Sequence, residues 1–194
     1  MNPDLVDEIE YMKELLIKSG FFDVDEIIEM LEDQFIEEEI DFSSSDISLN
    51  NSDNINFSKL EKVFKALASE DIVAIHNCGY DLKEGVADAF ELYVHLKNNK
   101  VNPIGFCFYS FDDMEEAIWN ENLKITFGDF ENSEEKALEI GKIVEKYLKA
   151  ADFSIIWDGT VNNQIEINPF KWDKSFDCEK EYEIEGAYDT FMNR

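Results

Sequence analysis

Residues 122–167, NLKITFGDFENSEEKALEIGKIVEKYLKAADFSIIWDGTVNNQIEI, read as strand, long helix, strand, turn and strand. Leu123, Ile125 and Phe127 alternate with Lys124 and Thr126, the period of two of a strand with one buried face, and Gly128 ends the run. Asn132 stands three residues before Glu135, the spacing of a reciprocal helix cap. Ala137, Ile140, Gly141, Val144 and Leu148 then fall at helical spacing, with Lys142, Glu145, Lys146 and Lys149 on other faces. Phe153 to Trp157 is a mostly apolar run of strand length, expected to pair parallel with the first strand across a right-handed helical crossover. Asp158-Gly159 is a turn signal, and Gln164 to Ile167 can return antiparallel.

Working outward towards the N-terminus, Asp112 and Glu115 are placed to start a short helix running to Trp119, preceded by an aromatic-rich strand from Ile104 to Tyr109. Asp81 and Glu84 cap a helix whose Val86, Ala89, Phe90, Tyr93 and Val94 are expected to face inward, with His95 partly buried among them. Ile72 to Ile75 reads as a buried strand leading into His76-Asn77-Cys78-Gly79-Tyr80, and Ser58 with Glu61 opens the helix before it. Residues 41–56, DFSSSDISLNNSDNIN, have the composition of a linker or disordered loop. Before them, Leu5, Ile9, Met12, Leu15 and Leu16 mark a helix stopped at Gly20. Asp23 with Glu26 caps a second one bearing Ile27, Ile28, Leu31 and Phe35. Beyond Phe170 the chain has no firm period, and only Tyr182 to Ile184 suggests a strand.

The expected architecture is therefore an α/β or α+β domain over 57–194, a mixed sheet of about five strands with helices packed on it. An N-terminal helical hairpin (1–40) and a polar linker (41–56) precede it. A chain of 194 residues with 44% hydrophobic residues can bury such a core.

Charge narrows the function classes. The chain carries 45 acids against 17 bases, a formal net charge of -28. Residues 1–42 alone hold 15 acids and 2 lysines. Binding to nucleic acid or an anionic membrane gains its electrostatic term from Lys and Arg against phosphate, so this balance opposes both and suits a basic protein partner. The one arginine is Arg194, and there is no Gly-rich phosphate loop, which weighs against nucleotide chemistry; no cofactor is expected. Acids run throughout residues 1–40, and no apolar run approaches the roughly 18 residues that span a bilayer. Cys78, Cys107 and Cys178 are scattered and lack metal-ligand spacing, so reduced thiols in a soluble cytoplasmic protein are expected.

The run GFCFYSFDDMEEAI, then LKITFGDF, ALEIG and WDGT followed by a hydrophobic strand and Trp172, together with LLIKSGFFDVDEIIEMLED, resembles an uncharacterised bacterial domain family of unknown function. The resemblance covers most of the chain and implies a fold and a bacterial origin, but no activity. Where it implies a basic residue after the WDGT-like turn, this chain has Asn162, Asn163 and Gln164, so no anion-binding role is carried over.

Three constellations could carry function. His76 and Cys78 share a face in a pattern of period two, so an imidazole could activate a thiol at a strand end. Asp158 could orient that imidazole in a hydrolase- or transferase-type site if its strand were a neighbour. A thiol in a polar turn is as readily structural, and Gly79 is expected to supply a positive φ. Asp112, Asp113, Glu115 and Glu116 could hold a hard cation, but acids at a helix start already satisfy its N–H groups and dipole, and the spacing matches no calcium loop; no metal site is assigned. Tyr80, Tyr109, Asp112, Glu115 and Trp157 are the candidate binding residues, since aromatics left exposed beside acids anchor interfaces. With each chemical site explained as cheaply by structure, the residues favour an acidic interaction module, of the inhibitor or immunity type, over an enzyme.

Overall fold

The computed structural model describes residues 3–43 and 45–194. Among them lie seven α-helices and five strands: α1 (Pro3–Ser19), α2 (Val24–Gln34), α3 (Ile55–Ala68), β1 (Ile72–Ile75), α4 (Leu82–Asn98), β2 (Gly105–Phe108), α5 (Phe111–Asn120), β3 (Leu123–Asp129), α6 (Glu134–Ala150), β4 (Ile155–Ile156), β5 (Ile165–Ile167) and α7 (Glu183–Met192). The chain divides into two compact units, one of residues up to Ile55 with Asp173–Glu179, the other Asn56–Trp172 with Lys180–Arg194.

In the first unit α1 packs on α2 through Leu15, Leu16, Ile27 and Leu31, all fully buried. Asp23 and Glu26 make the expected capping box, each accepting the other's backbone N–H at 2.8 Å. The turn between the helices is held by a group with no periodic signature. Lys174, 1% exposed, donates from Nζ to the Gly20 carbonyl at 2.6 Å and lies 4.5 Å over the Phe21 ring. Residues 45–54 form no helix or strand, yet Asn50 donates to the Lys174 carbonyl, Ser52 to the Asp173 carbonyl, and the Asp173 carboxylate accepts from Ile55 N at 3.0 Å.

The second unit is a mixed α+β fold around a five-stranded sheet of order β1-β2-β3-β5-β4. β1 and β2 are parallel, and the remaining neighbours are antiparallel. β3 joins the two halves by pairing Thr126–Asp129 with β2 and Leu123–Ile125 with β5. Val73, Ile75, Phe106 and Phe108 share one core cluster with Ala89, Leu92 and Leu96 of α4 and Ala187 and Phe191 of α7. The opposite face of β2 and β3 is covered by α6, where Ile140 and Phe127 fill the space that side chains on Gly105 and Gly141 would need.

Several local expectations are corrected. β3 and β4 do not pair, because β5 is inserted between them; β4 shrinks to two residues at the edge, with Ile156 57% exposed. Tyr182 to Ile184 is not a strand but the entry to α7. The cap of α6 is Ser133 rather than Asn132, which adopts a left-handed φ of 59°, and the cap of α5 is Ser110 rather than Asp112. α3 begins at Ile55, ahead of Ser58. On α4 the buried face is Ala89, Leu92 and Leu96, so Val94 and His95 point outward, while Phe90 is part exposed with its ring edge-on to Phe106 and Phe130.

Candidate functional site

β1 stops at Ile75, and the next residues set the geometry of the proposed nucleophile pair. Asn77 has a φ of 49°, outside the extended region, so the alternation that would put His76 and Cys78 on one face fails there. His76 turns towards α3: its ring stacks on Phe64 at 4.4 Å, and Nδ1 lies 3.0 Å from the Tyr109 hydroxyl. Phe57 and Tyr182 complete an aromatic surround at 5.2 and 5.7 Å. Cys78 turns the other way, into the cluster with Ile75, Phe108 and Ala89, and its thiol donates to the Gly85 carbonyl at 3.4 Å. Burial pushes that thiol well above its ordinary value, with the Asp88 and Glu183 carboxylates adding to the rise. Both effects disfavour the thiolate that nucleophilic attack would need. Gly79 does take a positive φ, 68°, where a side chain would run into the backbone at Gly85.

Asp158 joins neither of them. β1 and β4 are the two edges of the sheet, four strand spacings or about 19 Å apart. The Asp158 carboxylate accepts from Asn163 Nδ2 at 2.6 Å and from Thr160 N and Oγ1 at 3.0 and 2.9 Å, which holds it below the usual carboxylate range. Trp157 clasps the same turn, donating from Nε1 to the Thr160 and Asn163 carbonyls while its ring meets Phe127 edge-on. The DGT turn is thus a self-contained hairpin connection.

Of the candidate binding residues, Tyr80, Asp112 and Glu115 come together. Tyr80 is 57% exposed and stacks on Phe111 at 5.5 Å; partial burial and then the Asp112 and Glu115 charges raise its hydroxyl. Tyr109 is fully buried, so it belongs to the core around His76. The four carboxylates of α5 are put to different uses. Asp113 is buried and serves the cap, accepting from Ser110 N at 3.0 Å and from Ser110 Oγ at 2.9 Å, while Asn120 donates to Glu116. Burial raises Asp113 despite these bonds and that from Gln164. Among the described residues no group of three His, Cys, Asp or Glu is placed to hold a metal ion.

A further open feature lies elsewhere. A cleft of about 740 Å³ runs between α4 and α7, floored by Leu92, Ile184 and Tyr188 and edged by Glu181, Glu185 and Asp189. His95 and Asn99 stand at its other side. The four-residue spacing of the three acids was the signal present in the chain, and the lack of an apolar period beyond Phe170 concealed that Glu185 and Asp189 belong to a helix, with Glu181 just before it. No helix of the described residues is long and apolar enough to cross a membrane.

No curated protein and no solved structure matches the chain. Residues 2–176 match the model of the family described as domain of unknown function DUF6891, and the chain belongs to that family.

Proposed function

We propose that the chain is an acidic protein-interaction module, of the inhibitor or immunity type, whose partner is a basic protein. The observation that carries this reading is the charge inventory: 45 acids against 17 bases leave 28 carboxylates that no cation of the chain can pair one to one. A surface of that sign speeds and orients the approach of a cationic partner and repels nucleic acid and anionic lipid. The separation of His76, Cys78 and Asp158 leaves the enzymatic reading without an observation in its favour, and the dispersed roles of Asp113 and Glu116 do the same for a cation site.

The test is affinity capture from native lysate at low ionic strength. The expected result is a lysine- or arginine-rich protein that co-elutes with the chain, binds it again when both are pure, and is released as salt rises. A chain that elutes alone at low ionic strength overturns the reading.

A further inference from the structure

Resting on that reading, we propose that the α4–α7 cleft is the docking groove, and that its occupant is a basic helical segment of the partner protein. One aliphatic side chain of that segment sits on Leu92, Ile184 and Tyr188, and its lysines or arginines face Glu185 and Asp189.

The floor is fixed, because Leu92 is 1% exposed and belongs to the cluster that holds α4 and α7 on the sheet, with Ile184 and Tyr188 packed against it. The edge is charged and unneutralised. Glu181, Glu185 and Asp189 are exposed and enter no ion pair among the described residues, whereas Glu10, Glu14 and Glu145 each hold a lysine within one helical turn. α7 has no base in its last turn, and Arg194 beyond it is committed to Asp71 at 2.7 Å.

Spacing then selects the occupant. Glu185 and Asp189 lie four residues apart on one helix, a rise of about 6 Å. Cations four residues apart on a partner helix have the same rise, so a helix laid along α7 meets both carboxylates at once. An apolar floor beside the acids favours such an amphipathic helix over a small polycation, which would leave the half-buried Ile184 and Tyr188 uncovered. The volume suits a few side chains rather than a folded domain.

The probe is a synthetic helical peptide with lysines four residues apart flanking a leucine, titrated at low ionic strength into ¹⁵N-labelled full-length protein. Saturable shifts at Leu92, His95, Ile184 and Tyr188 are expected. The double substitution Glu185→Lys with Asp189→Lys is expected to weaken binding about tenfold or more, since it sets like charges against the peptide. Both sites are exposed, and an unchanged circular dichroism melt shows that fold is retained. Glu185→Gln with Asp189→Asn gives an intermediate loss, and replacing the peptide leucine by glutamine weakens binding to the unaltered protein.

Shifts confined to residues 3–40 would overturn the groove while leaving the acidic module standing. Spermine bound as tightly as the peptide, with the leucine making no difference, would overturn the helical occupant. Absence of any peptide binding also overturns the groove, and the lysate capture then decides the broader reading separately.

Discussion

At His76 and Cys78 two polar side chains one residue apart are put to opposite structural uses, and each use makes a measurable demand. The Tyr109 hydroxyl is buried, so His76 Nδ1 gives it the partner a buried polar atom requires. Tyr109→Phe removes one member of that pair and is expected to cost about 1–2 kcal/mol in urea unfolding, without loss of the fold. Cys78 and Cys107 have their thiols raised by burial above the ordinary value of 9.0. With the folded value raised, the stability each thiol contributes is complete only below the ordinary value of the unfolded chain, 9.0. Above it the unfolded chain ionises first, each thiol removing up to about 1.4 kcal/mol per pH unit. Urea midpoints should therefore fall from pH 9 to pH 10.5, and Cys78→Ala with Cys107→Ala should flatten the fall even though it lowers the starting stability. In native protein iodoacetamide should modify the exposed Cys178 and spare both buried thiols; prompt labelling of Cys78 would show that its thiolate is populated after all.

At the level of elements, stability is concentrated where the chain turns. α5 is fixed by Ser110 and Asp113, and Asp113 also accepts from Gln164 beside β5, so one carboxylate ties helix and sheet together. Ser110→Ala is expected to cost about 1 kcal/mol, the worth of a lost helix cap, read from a chemical denaturation midpoint. Lys174 plays the corresponding part for α1: its ammonium closes the helix end at Gly20, where a negative backbone dipole favours a cation. Lys174→Ala removes a charge-assisted bond and a fully buried stem. A loss of about 2–4 kcal/mol is expected, and hydrogen exchange should show it first at α1 and α2 amides.

These same features mark where the sequence was readable. α1, α2, α3, β3 and α6 follow from apolar period, whereas β1 and β2 follow from short apolar and aromatic runs whose residues are almost all buried. Helix starts at Asp23 and Asp81 follow from capping pairs, yet Ser110 and Ser133 won over Asp112 and Asn132, since several acids and amides in a row offer rival caps and tertiary placement chooses between them. The order β3-β5-β4 was hidden because β4 and β5 are too short for their pattern to say which neighbour each takes. α7 was hidden because its buried face is only Ala187 and Phe191.

For the whole molecule the controlling quantity is charge, and its distribution bears on how the family relates to this chain. The family match ends at residue 176, whereas the acidic edge of the groove is built from Glu181, Glu185 and Asp189. On the proposed docking, partner choice would rest on α7, a helix outside the matched residues. A net charge of -28 also makes the folded chain repel itself, and folding brings those charges closer than they stand in the unfolded ensemble. Salt has two opposed effects: it screens that repulsion, and it weakens the few exposed ion pairs such as Lys13–Glu10 and Lys149–Glu145. Each such pair is worth at most about 1 kcal/mol, whereas the repulsion sums over every unpaired carboxylate, so relief of repulsion should win. Raising NaCl from low ionic strength towards 1 M contracts the Debye length to about 3 Å. The melting temperature should rise by about 2–4 °C for each kcal/mol relieved. Calorimetry at several salt concentrations measures this. A melting temperature that falls with salt would mean that the exposed pairs outweigh the repulsion, and that the surplus carboxylates stand too far apart to present a concentrated field to a basic partner.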